Sequence, residues 1–101
     1  MECIFCNIDK ESIIKKNELA FAIKDKYPHS KGHVLIIPFR HYENYFDSTQ
    51  NELEAFSDLL FKMKTYTDEK YKPVAYNVSV NAGKKAGQVI MHAHIHLIPR
   101  Y

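Results

Sequence analysis

Apolar positions recur along this chain first with the period of a strand, then of a helix, then of a strand again. Leu19, Phe21 and Ile23 alternate through Glu18–Lys24, and His33–Pro38 is an almost unbroken apolar run. Tyr27–Gly32 between them has the residues of a turn. Thr49-Gln50-Asn51-Glu52 has the form of a capping box. Leu53, Phe56, Leu59, Leu60, Met63 and Tyr66 follow at helical spacing, which predicts an amphipathic helix over about Gln50–Thr67. Tyr76, Val78 and Val80 alternate in Ala75–Val80, and Asn81–Gly87 is a glycine-bearing loop. A last strand is expected over Val89–Ile98, ended by Pro99. The order β-β-α-β-β implies an α+β fold, an antiparallel sheet packed on one main helix.

The 101 residues allow one domain, 1–101, with a modest core that a dimer partner or a bound metal would reinforce. The net charge of +2 comes without a basic stripe; Lys15-Lys16 and Lys84-Lys85 are isolated doublets, so no nucleic-acid partner is expected. No apolar run approaches the roughly 20 residues of a membrane span, and Met1-Glu2-Cys3-Ile4 is unlike a signal peptide. The expected location is the cytoplasm, with no membrane partner. Cys3 and Cys6 in that reducing compartment call for a role other than a disulfide.

The strongest local signal is His92-Ala93-His94-Ile95-His96-Leu97-Ile98. Strand side chains alternate, and two residues advance about 6.6 Å. His92, His94 and His96 would line one face while Ala93, Ile95 and Leu97 pack against the helix. Imidazole titrates near neutrality and serves as nucleophile, acid, base or metal ligand. A neutral central ring flanked by hydrogen-bond donors suits displacement at phosphorus. Three histidines equally suit a metal. The local pattern leaves phosphoryl-type catalysis and metal binding equally open.

These residues resemble the motif of the histidine-triad superfamily, three histidines alternating with apolar residues. Cys3–Ile8, His33–His41, and Asn81 with Gly87-Gln88 are similar to three further blocks of that family, nearest to its nucleoside-phosphoramidase branch and bacterial relatives. The resemblance implies a nucleotide hydrolase or transferase that acts at an α-phosphate of purine nucleotide conjugates through a covalent nucleotidyl-histidine. It makes His94 the nucleophile and His96 a donor to the α-phosphate, with His92 completing the triad. It places Asn81, the backbone after Gly87, and Gln88 at the phosphate, Asp25 at the ribose, Phe5 and Ile8 at the base, and His33 beside the site. Val89 stands where many phosphoramidases have a Ser or Thr that touches phosphate, and valine cannot donate a hydrogen bond.

Cys3-x-x-Cys6 alone is half of a zinc pattern, with His29, His33, His41, His92 and His96 as candidates for the rest. The resemblance selects Cys3, Cys6, His41 and His92 as ligands of a structural zinc, with no organic cofactor, and implies a homodimer acting on a small nucleotide. A dinucleoside polyphosphate hydrolase is one alternative, to which Leu97-Ile98-Pro99-Arg100 is slightly similar. A nucleotide-binding protein with vestigial activity is the other.

Overall fold

The computed structural model describes residues 3–101. Strands β1 (Ile13–Lys16), β2 (Ala20–Lys24) and β3 (Val34–Pro38) precede helix α1 (Gln50–Tyr71), and β4 (Ala75–Ser79) and β5 (Ile95–Arg100) follow it. All pairings are antiparallel, in the order β1-β2-β3-β5-β4. The α+β architecture is the expected one, with β1 added at an edge; this short Ile-Ile-Lys-Lys strand carries a bulge that hides its alternation.

Both faces of the central strands are buried. Ala20, Ala22, Val34, Ile36, Ile95 and Leu97 pack on Phe56, Leu59 and Met63 of α1. On the other face Phe21, Ile23, Leu35 and Ile37 are covered by Phe5 and flanked by Ile13 of β1 and by Ile8 and Ile90 of the irregular segments. Double burial explains the unbroken apolar run of β3. The Thr49 capping box is present. The helix runs one turn past Thr67, because Asp68–Tyr71 continue it until Lys72 turns left-handed (φ 54°) ahead of Pro73. No described helix is long and apolar enough to cross a membrane.

The last strand is displaced from its expected bounds. It begins at Ile95, so only His96 of the three histidines lies within it. Pro38 is the reason: it has no N–H for a ladder, its carbonyl accepts from the His92 ring, and the Ala93 N–H goes to the Tyr42 carbonyl. Pro99 does not end β5. Pairing with β3 stops at Val34–Leu97, so the missing N–H of Pro99 meets no β3 acceptor, and its carbonyl takes the Ser30 hydroxyl instead.

Candidate active site and metal clip

The segment from Gln88 to His94 hangs on the connection after β3. His92 Nε2–H donates to the Pro38 carbonyl at 2.8 Å, which leaves a lone pair on Nδ1. The turn at Cys3–Asn7, closed by Cys6 N–H to the Cys3 carbonyl at 3.1 Å, brings two thiols to that nitrogen. Cys3 Sγ lies 3.3 Å from His92 Nδ1, Cys6 Sγ 3.3 Å from His41 Nδ1 and 3.6 Å from His92 Nδ1, and the two Nδ1 atoms are 3.1 Å apart. Tetrahedral zinc, with bonds of about 2.0–2.3 Å, sets its ligands roughly 3.3–3.8 Å apart. Burial, then the hydrogen bond and charge of Cys3, hold the Cys6 thiol above its ordinary pKa, a penalty that a cation between the sulfurs would relieve. The four expected donors thus converge and fit such an ion.

His94 donates from Nδ1 to the His92 carbonyl at 2.8 Å, so its Nε2 holds the lone pair and has no partner among the described residues. Phe5 packs edge-on against it, with centroids 5.2 Å apart, and against His92 at 5.8 Å. His96 is positioned by a relay. The His29 backbone N–H donates to His33 Nδ1 at 3.1 Å, which puts the His33 proton on Nε2. That N–H points to His96 Nδ1 at 2.9 Å, so His96 carries its own proton on Nε2, a donor for another group. Asp25 Oδ2 stands 3.3 Å from His33 Nε2 and 3.8 Å from His96 Nδ1. Burial pushes His96 down to about 4, with His94 and His33 adding to the effect; burial also lowers His33 and His92. These three rings are neutral at neutral pH.

Asp25, His33 and His96 also form a second close set of metal-type donors. An ion on His33 Nε2 would drive its proton to Nδ1, against the His29 N–H. The set is a hydrogen-bonded relay.

Phe5, Ile8 and Asp25 line one cleft of about 760 Å³, together with Ile13, Ile23, Leu35 and Ile90. Of the other expected residues, His33 (1% exposed) reaches it only through Asp25. Asn81 Nδ2 donates to the Gly87 carbonyl at 3.4 Å. Gly87 is required by its φ of +92°, since an added Cβ would meet nothing nearer than 3.5 Å. Val89 is 87% exposed. Gln88, expected at the phosphate, is turned inward: Nε2 donates to the Glu43 and Ile90 carbonyls and Oε1 accepts from Gly83 N–H. The N–H groups of Ala86, Gly87 and Gln88 are also satisfied inside the loop. The His29 and Tyr42 main-chain contacts leave no mark in the sequence, because any residue supplies the same carbonyl and any but proline the same N–H.

A family model described as HIT domain matches residues 7–101. An uncharacterized HIT-like protein of Mycoplasma pneumoniae is 38% identical over 98% of this chain and 72% of its own length. An adenosine 5'-monophosphoramidase of Schizosaccharomyces pombe is 36% identical over 99% of this chain and 75% of its own. The crystal structure of a zinc-bound histidine triad family protein from Mycobacterium smegmatis superposes with a TM-score of 0.89 at 27% identity, covering 100% of this chain and 76% of that one. Sequence match, relatives and fold agree, and the chain belongs to the HIT domain family.

Proposed function

We propose that the chain is a nucleotide hydrolase or nucleotidyl transferase of the nucleoside phosphoramidate type, working on purine nucleotide conjugates through a covalent intermediate on His94. The observation that carries this reading is the tautomer of His94: its Nδ1–H is committed to a carbonyl, and its Nε2 lone pair lies beside a neutral donor, His96. The His94 lone pair forms a P–N bond at the α-phosphate. The bond to the leaving group breaks, and that group departs with the electron pair and takes up a proton from water. The His96 Nε2–H donates to a phosphoryl oxygen as its charge grows. Water then attacks phosphorus, the nucleoside monophosphate leaves, and His94 returns neutral.

The apolar cleft at Phe5 and Ile8 takes the base, and Asp25 accepts from the ribose hydroxyls. Asn81 and the loop from Gly87 to Val89 adjoin the phosphate. Cys3, Cys6, His41 and His92 hold a structural zinc that fastens the amino-terminal turn to the catalytic segment. The zinc-bound relative supports this assignment. The working form is a cytoplasmic homodimer.

The test is turnover of adenosine phosphoramidate, run beside diadenosine triphosphate, with acid-quenched intact mass to catch the adduct. The parent should turn over the phosphoramidate faster and show one nucleotidyl group per chain. His94→Ala should lose about a thousandfold or more in kcat while still binding AMP. Unchanged turnover in His94→Ala would remove the nucleophile from the account. Faster cleavage of the dinucleotide would transfer the reading to the polyphosphate hydrolases.

A further inference from the structure

We infer that Gln88 is a positioning residue of this site and not a contact of the substrate: its side-chain amide knots the loop before the histidines so that free main-chain N–H groups are presented to an anion. The inference rests on the nucleotidyl-transfer reading for its effect on rate, while the knot itself is a matter of geometry.

Gln88 is 6% exposed. Its two amide hydrogens are both committed, one to the Glu43 carbonyl at 2.6 Å and one to the Ile90 carbonyl at 3.0 Å. Its Oε1 accepts from Gly83 N–H at 2.8 Å. The Gln88 main-chain N–H returns to the Gly83 carbonyl at 3.1 Å, so residues 83 and 88 are bridged in both directions. A phosphate oxygen needs a donor, and this side chain has none left.

The consequence falls on the main chain. Ala86, Gly87 and Gln88 direct their N–H groups into the loop, at 3.1, 3.0 and 3.1 Å. The first N–H groups without a protein acceptor among the described residues are those of Val89, Ile90 and Met91. In a trans peptide the C=O and N–H point in opposite directions, and no peptide bond here is cis. Gln88 draws the Ile90 carbonyl inward, so it turns the Met91 N–H away from itself and prevents that peptide from rotating. The knot is also tied to the rest of the site: Glu43 adjoins Tyr42, whose carbonyl holds Ala93 N–H at 2.8 Å. Gln88 and Ala93 therefore anchor both ends of the segment that carries His92. Donors fixed before reaction stabilise a developing charge without reorganising.

The experiment compares the parent with Gln88→Met, which keeps the buried stem and loses the amide, and with Gln88→Glu, which keeps an acceptor for Gly83. Amide hydrogen exchange and steady-state kinetics on adenosine phosphoramidate are read for each full chain as purified. In Gln88→Met, exchange at Gly83 and Ala93, whose N–H groups are bonded in the parent, should rise tenfold or more, with β2 and β3 unchanged. In Gln88→Glu, which loses the bonds to the Glu43 and Ile90 carbonyls, the rise should be confined to Ala93. For both, kcat should fall at least tenfold with KM within threefold. Unaltered exchange, a kcat within threefold of the parent, or a loss confined to KM would each overturn the inference, the last by marking Gln88 as a direct contact. Should one variant fail to fold, the other decides. A parent with no turnover would sink the functional reading alone, and the exchange measurement would then decide the knot.

Discussion

A backbone group selects the tautomer at His92, His94 and His33. The carbonyls of Pro38 and His92 take one N–H each, and the N–H of His29 takes a lone pair. The ring nitrogen left over determines whether each ring can ligate, attack or donate. The sequence motif shows that the rings are present; it says nothing about which nitrogen is free, because that is settled by peptide groups common to every residue. Among the described residues, one fully buried side-chain polar atom breaks the usual pairing. Thr67 is fully buried in α1, and its hydroxyl has no hydrogen-bond partner among the described residues. Thr67→Val keeps the shape and removes the unpaired group, so it should stabilise the fold by about 1 kcal/mol. Urea denaturation checks this, and a lower midpoint would show that the hydroxyl is satisfied in solution.

Helix α1 and the central strands could be read from the sequence because local rules place them. The Thr49 hydroxyl accepts from Glu52 N–H at 3.1 Å while the Glu52 carboxylate accepts from Thr49 N–H at 2.9 Å. That carboxylate, 3% exposed, is held below the usual range first by Arg40, which meets it at 2.8 Å. Thr49→Ala should lower stability by about 1 kcal/mol, read from the thermal midpoint, with no change in nucleotide binding. An unchanged midpoint would mean that Arg40 alone carries the helix start. The beginning of β5 is a different case. The alternation His92–Ile98 continues without a break, yet a strand needs a neighbour that can bond to it, and Pro38 ends that possibility. A one-dimensional pattern records which side each residue favours and not where the partner strand stops.

The molecule covers its sheet with a helix on one face and with the amino-terminal turn on the other, where the clip and the histidines lie. Purified protein should hold about one zinc per chain. Cys3→Ser should retain less than a third of that and melt at a lower temperature, since metal binding is coupled to folding; undiminished zinc would rule out this ligand set. The buried rings also set a pH dependence. The unfolded value near 6.5 is lowered in the fold for His33 and, to about 4, for His96. The unfolded chain therefore binds more protons between those limits. Stability should be complete above about pH 6.5 and fall as the pH drops towards 4. Urea midpoints at pH 7.5 and 4.5 test the sign; equal midpoints would mean that these rings protonate without penalty. The clip joins residues 89 positions apart, Cys3 and His92. During translation the thiols emerge first, and 89 positions separate Cys3 from the His92 imidazole that must follow it out of the ribosome. A stalled nascent chain ending short of residue 92 would lack His94, the proposed nucleophile, and one of the four donors together, so partly made copies should neither retain the ion tightly nor consume nucleotide.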